Sequence, residues 1–162
     1  MKIIKLNFVV ITLLLSVFFV SSSKAQDSQV PNNTIFAELG GPGIISFNFD
    51  KRFNNRPDGF GGRIGLGGVY LADGGFLSVP IGLNYLLGKD GKNYFEVGAG
   101  FTFLTSGFED DGFMSSSFGH LNFGYRLQPK DGGFNFRASL NPIFGNGWFY
   151  PFYGGVSLGY TF

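Results

Sequence analysis

From Tyr150 to Phe162 the chain alternates with a period of two. Phe162, Tyr160, Leu158, Val156, Gly154 and Phe152 fall on one side; Thr161, Gly159, Ser157, Gly155, Tyr153 and Pro151 fall on the other. Alternation at this period places successive side chains on opposite faces of a β-strand. One face is greasy and ends in aromatics, and the other is small or polar. A chain built from such strands must give its apolar faces an apolar environment, either a shared core or a surrounding lipid.

Turn residues divide the remainder into seven more strands of the same kind. The eight are expected at about 34–41, 44–53, 60–71, 76–87, 93–104, 115–127, 134–144 and 149–162. The punctuation between them is Pro42-Gly43, the 54–59 segment Asn-Asn-Arg-Pro-Asp-Gly, Ala72 to Gly75, Gly88 to Lys92, a longer loop at 105–114, Gln128 to Gly133, and Gly145 to Trp148. An even number of strands, each about 8–13 residues long, suits a tilted barrel, in which roughly 9–11 residues cross an apolar layer.

The faces indicate which side is wet. In the second strand Ile45, Phe47 and Phe49 oppose Ser46, Asn48, Asp50 and Arg52. In the fourth, Leu77, Val79, Ile81, Leu83, Tyr85 and Leu87 oppose Ser78, Pro80, Gly82 and Asn84. In the fifth, Phe95, Val97, Ala99, Phe101 and Phe103 oppose Tyr94, Glu96, Gly98, Gly100 and Thr102. In the seventh, Phe134, Phe136, Ala138 and Leu140 oppose Asn135, Arg137, Ser139 and Asn141. A soluble, lipocalin-like barrel would carry charges along the whole outer face of each strand. Here the polar parity is rich in glycine, with few charges of mixed sign, which suits a narrow lumen. The expected arrangement is apolar outside and polar inside.

Residues 1–25 read as a cleavable secretory leader. Lys2 and Lys5 precede an apolar core from Leu6 to Val20, and Ser23-Lys24-Ala25 places small residues at the −3 and −1 positions before Gln26. The chain has no cysteine, which excludes a lipoprotein leader and disulfides. Residues 26–33 form a short N-terminal segment, and 34–162 form the barrel domain. Beyond the leader no apolar run reaches the length of a membrane helix, so membrane entry requires a closed barrel. The 27 glycines show no period of three, which excludes collagen. The formal charge of +1 loses Lys2, Lys5 and Lys24 with the leader, leaving nine Lys and Arg against eleven Asp and Glu, or −2. That balance argues against a nucleic-acid partner.

The C-terminal strand, with Gly155, Leu158, Tyr160 and a terminal Phe162, resembles the assembly signal of Gram-negative outer-membrane β-barrels. The chain as a whole is similar to the small outer-membrane barrel families that include the OmpA membrane domain and OmpX. The resemblance implies an all-β, eight-stranded antiparallel up-and-down transmembrane barrel in the cell outer membrane after Sec-type export. It implies outer-membrane lipids, including lipopolysaccharide, as surroundings, and barrel-assembly machinery and periplasmic chaperones as biogenesis partners. Both termini would be periplasmic. The turns at 54–59, 88–92 and 128–133 would then be periplasmic, and 42–43, 72–75, 105–114 and 145–148 would be outer loops. Tyr70, Tyr85, Tyr94, Tyr125, Trp148, Tyr150 and Tyr160 near strand ends suit interfacial girdles, although Tyr94 has inward parity. No peptidoglycan-binding domain follows, so the sequence offers no support for tethering.

By parity the lumen receives Glu38, Asp50, Arg52, Arg63, Glu96, His120, Asn122, Arg126 and Arg137. Glu96 begins the fifth strand, Arg126 ends the sixth and Arg137 begins the seventh, so a Glu96–Arg126–Arg137 cluster is expected near the periplasmic mouth. Such charges serve structure when paired and a selective constriction when not. His120 is the only histidine. Asn122, not a serine nucleophile, stands two positions on, and a lone histidine without cysteine lacks a metal ligand set, so no catalytic, cofactor or metal site is expected. Glu109-Asp110-Asp111 lacks calcium-loop spacing and is expected to be a solvated loop. Gly40-Gly41-Pro42-Gly43 has no following helix or Lys-Ser/Thr, and is a hairpin turn rather than a phosphate loop. Inward glycines at 65, 67, 82, 98, 100, 124, 155 and 159 either leave a narrow cavity or make room for Phe36, Arg52, Arg63, Phe118 and Tyr153. The expected function is a non-catalytic integral barrel with a structural or surface-interaction role. A narrow pore or small-solute transporter is the alternative, and a lipid-modifying enzyme a distant third.

Overall fold

The computed structural model describes residues 30–71, 74–106 and 116–162; the leader lies outside them. The described residues form ten β-strands and no helix: β1 (Asn33–Gly40), β2 (Ile45–Arg52), β3 (Gly59–Leu71), β4 (Gly74–Leu87), β5 (Asn93–Ser106), β6 (Phe118–Leu127), β7 (Gly133–Leu140), β8 (Ile143–Gly145), β9 (Trp148–Tyr150) and β10 (Gly154–Thr161). Consecutive strands from β1 to β7 pair antiparallel. The β5–β6 ladder and the pairing of β1 with β10, from Thr34↔Thr161 to Gly40↔Gly155, close the sheet on itself. With β8 continuing β7, and β9 leading into β10, the architecture is a closed antiparallel barrel of eight staves. Closure removes the free edges that an open sheet would present.

Three staves differ from their expected form, and at two of them a proline is responsible. The seventh was expected to run unbroken over 134–144. It lapses at Asn141-Pro142, where proline has no N–H for the ladder. Its register against β6 survives the gap, since Phe123↔Leu140 and His120↔Ile143 lie on one continuous diagonal and Leu121 N still donates to Pro142 O at 2.9 Å. The eighth was expected as one strand over 149–162 and is broken at Pro151–Tyr153. Three positions separate Leu140 from Ile143, but four separate their partners Tyr150 and Gly154. The extra residue is a bulge, and the β8–β9 hairpin beyond it turns through Asn146-Gly147, with Gly147 at φ +80°. The sixth stave begins at Phe118, later than expected.

Burial follows the alternation of the sequence. In β2, Ser46, Asn48, Asp50 and Arg52 are buried and Ile45, Phe47, Phe49 and Lys51 are exposed. Phe47 is 56% exposed and Asp50 0%. The same inversion runs round the barrel, with Leu66, Leu83, Phe95, Phe103, Phe134, Leu158 and Tyr160 on the outside. Each large apolar side chain left in water forgoes roughly 1.5–3 kcal/mol of burial, so this surface is unsuited to water. Tyr94 follows its inward parity and is buried, so it is no part of an outer girdle.

Candidate functional site

The barrel interior contains the ionisable groups that parity directs inward. Among the described residues, four buried arginines, Arg52, Arg63, Arg126 and Arg137, face three buried carboxylates, Glu38, Asp50 and Glu96. Alternate positions of one strand share a face, which is how Asp50 and Arg52 both enter from β2. Two clusters and an apolar layer follow one another along the lumen.

The first cluster, toward the end that carries the chain termini, is centred on Asp50. Its Oδ1 lies 2.8 Å from Arg52 Nη2 and 3.0 Å from Arg126 Nη2, and its Oδ2 lies 3.3 Å from Arg137 Nη2. Asn84 Nδ2 donates to Oδ2 at 2.6 Å, and Asn84 Oδ1 accepts from Arg52. Glu96 stands farther from its partners, at 3.6 Å from Arg126 Nη1 and 3.7 Å from Arg137 Nη1, and accepts from Asn122 Nδ2 at 3.1 Å. The arginines expected around Glu96 are thus held more closely by Asp50. Sequence reasoning placed Asp50 inward but gave it no partner. β2 is not adjacent to β6 or β7, and only barrel closure brings them together across the lumen. Asn84 was read as inward by its parity without a role. Thr34, Gln128 and Asn135, which complete the cluster through Thr34–Thr161 at 2.9 Å and Asn135–Gln128 at 3.3 Å, were not singled out. Thr34 and Asn135 carry inward parity, whereas Gln128 was expected in the turn after the sixth strand. The mouth is covered where Gln128 Nε2 donates to Pro57 O at 3.4 Å and Arg52 Nη1 to Gly59 O at 3.0 Å.

The second cluster is Glu38 with Arg63. The guanidinium grips the carboxylate with both Nη atoms, at 3.1 and 2.8 Å, and also donates to Asn48 Oδ1 at 2.7 Å. Such paired contacts to a carboxylate are strong and directional. Phe36 lies between the clusters, with the Arg137 guanidinium 4.0 Å and that of Arg63 5.2 Å from its ring centre. Stacking of this kind satisfies cations through the ring face.

The third layer, at the loop end, is apolar: Ile44, Phe76, Leu104, Phe118 and Ile143 pack together, with Val69, Trp148 and Tyr153 against them. His120 sits beneath it, buried, with Nδ1 3.4 Å from Thr102 Oγ1. That hydroxyl donates to Pro42 O at 2.8 Å, so its proton is engaged by a backbone carbonyl rather than given to the imidazole beside it.

The inward glycines accommodate large neighbours. A Cβ at Gly100 would meet His120 Nε2 at 2.6 Å, one at Gly159 would meet Phe36 Cβ at 2.5 Å, and one at Gly98 would press on Asn84. The void enclosed by Glu38, Arg63, Glu96, Asn122, Arg137 and Ser157 measures about 10 Å³, room for about one water. The Glu109-Asp110-Asp111 loop lies outside the described residues. Gly40 to Gly43 forms the β1–β2 turn.

No known family and no curated protein matches the chain in sequence. Two solved structures share its fold. The N-terminal β-barrel domain of OprF from Pseudomonas aeruginosa aligns with a TM-score of 0.55 and 15% identity over 85% of this chain and 100% of that one. The outer membrane protein Ail of Yersinia pestis, solved in a phospholipid bilayer nanodisc, aligns with a TM-score of 0.51 and 15% identity over 82% of this chain and 98% of that one. The chain therefore has the fold of small outer-membrane β-barrels.

Proposed function

We propose that the chain is a non-catalytic integral barrel of the outer membrane, exported by a cleaved leader, with a sealed lumen and a structural or surface-interaction role. The observation that carries this reading is the inverted burial of every stave, seen most simply in β2, where exposed Ile45, Phe47 and Phe49 alternate with buried Ser46, Asn48, Asp50 and Arg52. In lipid the closed ladder satisfies the backbone and the outer side chains lose nothing by exposure. Outer-membrane lipids, lipopolysaccharide among them, would be its surroundings, and barrel-assembly machinery and periplasmic chaperones its route there. The shared fold supports this location but names no ligand.

The pore alternative requires a continuous aqueous path. Against it stand the apolar layer at one end, the Gln128–Pro57 contact at the other and a void of about 10 Å³ between the ion clusters. Against a hydrolytic role stands the environment of His120, whose neighbouring hydroxyl is bonded to a carbonyl, where nucleophilic catalysis needs a hydroxyl free to be activated. Ion conductance of the folded protein in a planar lipid bilayer tests the reading. The expected result is a barrel that migrates differently on gels before and after heating yet passes no steady current. Reproducible channels would replace the sealed lumen with a transport function.

A further inference from the structure

The β1–β2 connection does not stand out into solvent as a loop. Gly41, Pro42, Gly43 and Ile44 are all buried, because the turn folds back into the mouth of the barrel. Lumen side chains of two other strands hold its carbonyls: Ser78 Oγ of β4 donates to Gly43 O at 2.8 Å, and Thr102 Oγ1 of β5 donates to Pro42 O at 2.8 Å. Its own strand holds its amide, Gly43 N donating to Glu38 Oε2 at 3.2 Å. The seat is shaped to the turn. A Cβ on Gly41 would come within 2.8 Å of the Glu38 carboxylate, and one on Gly67 within 2.8 Å of Gly43 O.

Ile44 is the anchor. It adopts φ +68°, a left-handed conformation that β-branched residues avoid. In that conformation its side chain packs in the layer with Phe76, Leu104, Phe118 and Ile143. A residue in such a conformation persists only where its surroundings over-determine it. Here the surroundings are three tethers and one apolar socket, supplied by strands other than β1 and β2 as well as by them. One backbone bond ties the base of the turn to the wall, Gly41 N donating to Gly154 O at 3.0 Å beyond the Gly40↔Gly155 end of the β1–β10 ladder. The contacts that hold Pro42 to Ile44 in the mouth run through side chains, so these residues can swing out about Gly41 with the strand ladders intact.

We propose that the Gly41–Ile44 turn is a detachable plug of the loop-end mouth, and that its release exposes the Glu38–Arg63 pair and Ser46 beneath it to solvent from that side while the barrel stays closed. The proposal rests on the packing of the mouth and does not depend on the membrane reading.

The chain's lack of cysteine makes thiol labelling a clean test. Ser46→Cys places a reporter under the plug, at a position 3% exposed, and Thr34→Cys places a control at the opposite end, at a position 1% exposed. Each is labelled with a small methanethiosulfonate reagent in the folded protein. Adding Ser78→Ala with Thr102→Val removes the two tethers on the carbonyls and leaves the one from Glu38, and should speed labelling of the Ser46→Cys reporter by about tenfold or more, the weight of two ordinary hydrogen bonds. Ile44→Asn is an independent route, since asparagine tolerates the left-handed conformation but empties the apolar socket. It should have the same effect. The Thr34→Cys control should keep its rate in both backgrounds. An unchanged Ser46→Cys rate in both would overturn the proposal, as would an equal acceleration at both reporters, which would mean the whole barrel had loosened.

Discussion

Asp50 shows how unequally buried charges share a network. It is 0% exposed, touches three guanidiniums and accepts a fourth contact from Asn84. Glu96, on the same arginines, keeps its distance at 3.6 and 3.7 Å. Removing one partner of a buried ion pair costs more than the pair contributes, because the charge left behind is still dehydrated. Asp50→Asn is therefore expected to lower the unfolding free energy by about 3–5 kcal/mol, and Glu96→Gln by distinctly less. Urea unfolding of the two variants ranks them, and an equal or reversed order would remove Asp50 from the centre of the network. Parity alone reached each of these residues from the sequence. The ranking was hidden, because the residue that matters most is bonded across the lumen to strands it never pairs with.

At the scale of the element, the turns have their own local chemistry. The turn between β4 and β5 is organised by Asp90. Its Oδ2 accepts from Asn93 Nδ2 at 2.6 Å, and its Oδ1 from the backbone N–H of Asn93 at 2.7 Å and of Lys92 at 3.0 Å. These donors, the Asn93 side chain foremost, hold the carboxyl at about 2, below its ordinary 3.8. A carboxylate whose folded value is depressed contributes stability that is complete above the unfolded value and is lost as pH falls through the folded one. Acidification from about pH 4 to pH 2 should thus loosen this turn while the strands persist. In an NMR titration the Lys92 and Asn93 amides should move together with a midpoint near 2, and Asp90→Ala should abolish the step. A midpoint near 4 would mean that the turn does not hold the carboxylate. Strand positions were legible because alternation is written residue by residue. The breaks at Asn141-Pro142 and Pro151–Tyr153 were not placed, although both prolines were visible, because a proline marks where a ladder can fail, and only the pairing partners show whether it does. The inward fold of Gly41 to Ile44 left no pattern at all: its sequence is that of any tight turn, and its tethers, Ser78 and Thr102, lie far along the chain.

For the molecule as a whole, closure is the decisive event, and β10 performs it. Phe162 N donates to Asn33 O at 2.8 Å and accepts back through its own carbonyl from Asn33 N at 3.1 Å, while its ring faces outward. Phe162→Asp keeps the backbone pairing possible but puts a charge on the apolar surface near the seam. The expected outcome is a marked fall in folded, heat-modifiable protein recovered from the membrane fraction, with total synthesis unchanged; undiminished recovery would count against a role for this residue in assembly. The alternation that made the last strand so legible also made the barrel legible, and the even strand count pointed to closure. The filling of the interior was not legible, because glycines can equally line a channel or admit a bulky neighbour, and only the three-dimensional placement of Arg52, Phe36 and His120 chooses between them.

The hydrogen bond between Thr34 and Thr161, at 2.9 Å, joins residues 127 positions apart in the chain. Time enters here. The first partner is made long before the second, so the seam cannot begin to form until β10 exists. Until then β1 has only β2 beside it, and its other edge is open to any strand it meets. Contacts this distant are also slow to find one another. The waiting period, rather than the finished barrel, is where the chain is most vulnerable to aggregation, and it is that interval a cell must guard.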